Sequence, residues 1–212
     1  AFIVRNSWGS SFGDNGYFYI SYYDTKLAYS TNYLFNDIKP ITNFSRVYQY
    51  DELGWISQTG YGSDTGWFAN IFTAQASERL SAVSFYNSSV NSLYEVYIYK
   101  GVAAGVPRSG VLASTETGTI LYPGYTTINL SSPVDLFHGE QFSIVVKLTA
   151  SGASFPIPLE KHIEGYSSNA TASSGQSFVS SDGNFWSDLT TLPGHENDNV
   201  CLKGFTASSS AL

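Results

Sequence analysis

One cysteine, three histidines and a few close carboxylates are the residues of this 212-residue chain that could carry covalent or metal chemistry, and their spacing restricts what that chemistry is. Cys201 follows His195 by six residues, which invites a thiol nucleophile with an imidazole base. It sits between Val200 and Leu202 on an apolar run, however, where a thiol acts as a small hydrophobe. His162 and His195 have no second His or Cys at ligand spacing, so zinc is not expected. Glu196 and Asp198 with their flanking asparagines, and Asp51 with Glu52, offer hard oxygens to calcium but lack the spaced loop of a calcium site. They read as solvated loop carboxylates, and neither metal nor cofactor is expected.

The aromatics are the other chemical resource. Trp55, Trp67 and Trp186 with Tyr48, Tyr50, Tyr61 and Tyr97 could stack on sugar rings, although most large aromatics of a small domain are core. Trp55 and Tyr61 are the candidate binding residues, because Trp55 sits before and Tyr61 within Gly60-Tyr61-Gly62-Ser63, a stretch too polar for an interior.

These residues must be positioned by β-structure. Charged residues make up 13% of the chain and aromatics 16%, with many Ser, Thr, Gly and Asn between them, a mixture that favours twisted sheet over helix. Phe142, Ile144, Val146 and Leu148 alternate with polar neighbours, as do Tyr94, Val96 and Ile98, and Thr126, Ile128 and Leu130. Each set predicts a strand with one buried face, enough for two packed sheets. Asp182-Gly183 lies between β-prone runs and predicts a tight hairpin turn with positive φ at both positions. A net charge of −7 excludes a nucleic-acid backbone as partner, and no apolar run is long enough for a transmembrane segment. One cysteine allows no internal disulfide.

The first twenty residues form a unit of their own, reading as strand, glycine-rich turn and strand, with Gly9, Gly13 and Gly16 in the turn. Asn6-Ser7-Trp8-Gly9 resembles the C-terminal hairpin of the papain family of cysteine peptidases, with Phe12-Gly13 where that family usually has Trp-Gly. The resemblance implies that Asn6 accepts a hydrogen bond from a catalytic His and that Trp8 shields that bond from water. In that family Cys and His precede the Asn, whereas here every His and the Cys lie after it. The expectation is a C-terminal portion of a larger peptidase, itself inactive, reaching peptide substrates through the catalytic half.

A second resemblance covers roughly residues 45 to 207. Val47-Tyr48-Gln49-Tyr50-Asp51-Glu52-Leu53-Gly54-Trp55, then Trp67 to Ala74, Glu78-Arg79-Leu80, Val83 to Tyr86 and Tyr94 to Tyr99 resemble the lectin-like domain that follows the papain-like domain in certain archaeal and bacterial peptidases. The reading is therefore an all-β chain: a papain-type hairpin over 1–24, a connector over 25–44, an antiparallel jelly-roll-like sandwich over 45–207 and a tail over 208–212. It implies an extracellular or cell-surface setting, with the sandwich serving stabilisation, surface attachment or substrate targeting and with glycan or cell surface as further partners. The alternative reading is a stand-alone carbohydrate- or protein-binding module.

Overall fold

The computed structural model describes residues 1–26, 40 and 44–208; most of the expected connector over 25–44 and all but the first residue of the expected tail lie outside them. The chain divides into two compact units, residues 1–40 and 41–212. The first holds a two-stranded antiparallel sheet, β1 (Phe2–Arg5) and β2 (Tyr17–Ile20), with Phe2 opposite Ile20 and Val4 opposite Phe18.

The second unit begins with β3 (Arg46–Tyr48), β4 (Ser57–Thr59), β5 (Thr65–Thr73), β6 (Glu78–Asn87) and β7 (Ser92–Lys100). It continues with β8 (Val111–Ile120), β9 (Gly124–Leu136), β10 (Gln141–Thr149), β11 (Ile157–Glu160) and β12 (Ser177–Ser180). It closes with β13 (Ser187–Asp188), a 3-10 turn at Leu189–Thr191, β14 (Asn199–Val200) and β15 (Leu202–Ser208). All named pairings are antiparallel. A six-stranded sheet runs β13-β12-β5-β10-β7-β8, a four-stranded sheet β3-β15-β6-β9, and a short third sheet β14-β11-β4. The expected all-β sandwich is the observed fold.

The core lies between the two large sheets. Phe68, Val96, Ile98, Ile144, Val146 and Leu148 meet Leu80, Val83, Phe85 and Leu202 in one buried cluster, and Phe68 and Phe85 pack edge to face at 6.1 Å. Bulges between Leu80 and Ala82 and between Phe205 and Thr206 shift the alternation, which lets Leu80 and Phe85 both point inward although their numbers differ in parity. Gly204 is needed where the sheets approach: a Cβ there would fall 2.8 Å from Ile144 Cδ1.

Two expectations need correction. Two odd positions of β10, Ser143 and Val145, are buried along with the even face, because loops on the sheet's outer side cover them, while Gln141, Lys147 and Thr149 stay half-buried. The Ser143 hydroxyl donates to the Pro107 carbonyl, tying one such loop down. Around Asp182-Gly183 a hairpin does form between β12 and β13, but only Gly183 has positive φ, at 75°. The Asp182 carboxylate instead accepts the Asn184 and Phe185 N–H groups, building a longer side-chain-closed loop.

Candidate functional sites

In the hairpin, the turn is closed by backbone bonds that the glycines make possible. Asn6 N–H donates to Gly16 O at 2.8 Å, and Gly16 N–H to Phe12 O at 2.7 Å, with Gly9, Gly13 and Gly16 all at positive φ. Asn6 Oδ1 accepts the Trp8 N–H at 3.2 Å, an Asx turn that sets the side chain's direction. A carbonyl oxygen has two lone pairs, so this contact leaves Asn6 able to accept a second donor. Trp8 is 74% exposed, and its ring meets Phe12 edge to face at 5.1 Å; Phe12 meets Phe18 at 5.9 Å. Phe12 thus takes the supporting aromatic place within the turn.

Trp55 and Tyr61 lie against different elements. Trp55 is half-buried and packs on Tyr86 at 5.8 Å, and Tyr86 in turn on Tyr125 at 4.8 Å. Tyr61 is exposed; burial of part of its ring, and then the charge of Asp182, raise its hydroxyl pKa. Tyr48 and Tyr50 belong to the core, stacked around Phe72.

The acidic residues read as solvated loop carboxylates include two that are buried, and this corrects the sequence reading. Asp51 is fully buried, 2.7 Å from Lys203 Nζ. Burial nevertheless lifts its pKa to about 6, since desolvation outweighs the attraction of Lys203. Asp198 is also buried, accepting from Lys161 Nζ at 3.0 Å and lying 2.7 Å from His195 Nδ1. Glu160, which sequence reasoning passed over, is buried and accepts Leu53 N–H at 2.6 Å and Asn199 Nδ2 at 3.2 Å. A chain of buried amides and hydroxyls continues from Asn199 through Ser177 to Asn70. Among the described residues no group of three or more His, Cys, Asp and Glu is placed to hold a metal. Cys201 is buried, and desolvation and then Asp51 push its thiol pKa well up, so it is not an activated nucleophile.

The most developed polar-aromatic site lies on the outer face of the six-stranded sheet. Strand pairing places Trp67, Lys147 and Glu95 in one row across β5, β10 and β7, and Ala69, Val145 and Tyr97 in the next. Lys147 Nζ pairs with Glu95 at 2.7 Å, and Glu95 also accepts the Tyr97 hydroxyl. Trp67 and Tyr97 lie nearly parallel, with centroids 6.0 Å apart. Arg108, from the loop after β7, lays its guanidinium over Trp67, Tyr97 and Tyr99 at 5.4, 5.7 and 5.9 Å. Its Nε donates to the Tyr99 hydroxyl at 3.0 Å and its Nη1 to Gly183 O at 2.7 Å, and the same oxygen accepts Trp186 Nε1 at 3.1 Å. Beside this group is a cavity of about 320 Å³ lined by Tyr99, Val106, Arg108, Ser109, Asn184 and Trp186, together with Gly183. Trp67, Trp186 and Tyr97 were legible as stacking candidates, but Arg108 was not, because only the fold brings its loop to them.

The Lectin like domain family model matches residues 47–206, three quarters of the chain and the whole span of the two large sheets except the outermost residues. The chain belongs to this family. This lectin-like domain has close counterparts among solved structures. A clostridial cysteine protease, Cwp84, determined after propeptide cleavage, is 28% identical, with a TM-score of 0.76 over 98% of this chain and 51% of that one. A structure of the cysteine protease and lectin-like domains of Cwp84, a surface layer associated protein of Clostridium difficile, is also 28% identical, with a TM-score of 0.73 over 98% of this chain and 46% of that one. The chain thus spans about half the length of these proteins. No curated protein matches it. Among the described residues no helix is long and apolar enough to cross a membrane.

Proposed function

We propose that this chain is the C-terminal part of a secreted papain-like cysteine peptidase, with a lectin-like sandwich that holds the enzyme at a glycan-bearing or cell surface. The observation that carries the reading is the order of parts. A hairpin with an Asx-turned Asn6 beside Trp8 stands in one chain ahead of a lectin-like sandwich, and the similar surface layer associated protein Cwp84 likewise joins a cysteine protease domain to a lectin-like domain. In such an enzyme a Cys from the catalytic half attacks the peptide carbonyl, and a His moves the proton. Asn6 Oδ1 accepts the ring N–H of that His and fixes its orientation, while Trp8 keeps water from the bond. Trp55, Tyr61 and the outer-face aromatics are the side chains offered to a surface glycan.

Intact mass and N-terminal sequencing of the native protein, with a fluorogenic-peptide assay, test this. The expected result is a longer parent with E-64-sensitive turnover that Asn6→Ala lowers in kcat, and no turnover by the 212-residue chain alone. A native mass of 23.1 kDa with no thiol-dependent activity would leave the stand-alone binding module in its place.

A further inference from the structure

We infer that the cavity beside Arg108 is a binding site for a saccharide carrying a carboxylate or phosphate group. The inference rests on the proposed surface-attachment role of the sandwich and names the chemistry of what it attaches to. Arg108 is a half-buried cation, yet it forms no ion pair among the described residues. Of the neighbouring charges, Lys147 and Glu95 satisfy each other, and the Asp182 carboxylate is held by the N–H groups of Asn184 and Phe185 in its own loop. Of the five guanidinium N–H donors, one at Nε goes to Tyr99 and one at Nη1 to Gly183. The rest, including both on Nη2, have no acceptor among the described residues.

Three aromatic rings and two hydrogen bonds hold the guanidinium in place before any ligand arrives. A planar, preorganised fork of this kind matches a carboxylate or phosphate bidentately. The ring of Trp186 and the edge of Tyr99 border the same cavity, where the apolar C–H face of a sugar ring can stack while its charged substituent meets Arg108. The cavity volume of about 320 Å³ is that of a small-ligand site. A second hollow, of about 420 Å³ along Arg46 to Tyr50, lacks this character: its cation, Arg46, is paired with Glu78 at 3.4 Å.

The test is an NMR titration of the 212-residue chain with glucuronate, glucose 6-phosphate, glucose, acetate and inorganic phosphate, following the Trp186 indole N–H and the Arg108 Nε–H. Saturable shifts at both groups with the two anionic sugars are expected, about tenfold tighter than with glucose or the free anions, and weakened by added salt. Arg108→Gln removes the preference for the charged sugars. Arg108→Lys keeps the cation but loses the fork, so it retains only a fraction of the preference, and it decides the matter if the Gln variant does not fold. Equal binding of glucose and glucuronate, acetate or phosphate binding as tightly as the sugars, or no shift at Arg108 and Trp186 with any anionic sugar, each overturns the inference. Any of these leaves the peptidase reading standing, since that reading is judged on the parent mass and Asn6.

Discussion

Gly183 lies flat against the indole of Trp67: a Cβ built on it would come within 2.8 Å of the ring carbons Cδ2 and Cε2. The backbone there has φ of 75°, and its carbonyl oxygen receives both Arg108 and Trp186. One residue therefore sets the height of the loop above the sheet and the position of the cation over its aromatic rings. Gly183→Ala is expected to cost about 2 kcal/mol, combining a strained φ with an overpacked contact. Urea denaturation checks this, and a midpoint change equivalent to less than about 0.5 kcal/mol would show that the loop lifts freely.

The core prediction concerns Ile144, which is fully buried and faces Gly204 across the inter-sheet space. Ile144→Ala should lose about 2 to 5 kcal/mol through lost burial and a residual cavity. The same substitution at an exposed outer-face position such as Thr117 should be close to neutral. Equal effects at the two positions would contradict the assignment of the inner face.

Asp51 supplies a pH prediction whose sign differs from that of most carboxylates. Its folded-state pKa is raised from 3.8 to about 6, so the folded chain binds this proton more tightly than the unfolded one. The contribution of Asp51 to stability is then largest below pH 3.8, falls as pH rises toward about 6, and is constant above. The difference between these two values corresponds to a change on the order of 3 kcal/mol. Asp135, Asp188 and Glu95 have lowered pKa values and act in the opposite direction, so the wild type alone does not isolate the effect. Measured against Asp51→Asn over the same range, the wild type should gain stability on acidification; parallel curves for the two proteins would refute the assignment.

How much of this was readable beforehand follows from the range of the interactions. The alternation in β10 and in Thr126, Ile128 and Leu130 is local, with a period of two, and marked the strands and their inner faces directly. The burial of Val145 and Ser143 was hidden, because it depends on a loop whose Pro107 is 36 residues from Ser143. Asp51 and Lys203 are 152 residues apart, and Arg108 and Gly183 are 75 apart. No local pattern distinguishes such an Asp or Arg from a solvated one; only strand order brings each to its partner. Asn6 and Trp8 were legible as a pair because the turn that joins them is made of neighbouring residues.

That turn supports the last prediction, which separates steric from conformational control of the hairpin. Gly13 and Gly9 both have positive φ, at 54° and 88°, so alanine at either is conformationally strained by about 1 kcal/mol. Their surroundings differ. Among the described residues a Cβ on Gly9 meets nothing within 4 Å, whereas one on Gly13 would lie 2.3 Å from the Tyr17 carbonyl oxygen. That oxygen accepts the Asp14 N–H at 2.8 Å, and Tyr17 N–H returns a bond to Asp14 O at 3.0 Å, so Gly13→Ala must break the bridge that closes the turn. The Asn6 N–H, bonded to Gly16 O, loses its support next, and with it the direction of the Asn6 side chain. Amide hydrogen exchange at Asn6, Asp14 and Tyr17 should therefore accelerate far more in Gly13→Ala than in Gly9→Ala. Equal acceleration in the two variants would mean that backbone strain alone governs the turn, and that the close approach of Gly13 to Tyr17 plays no part in presenting Asn6.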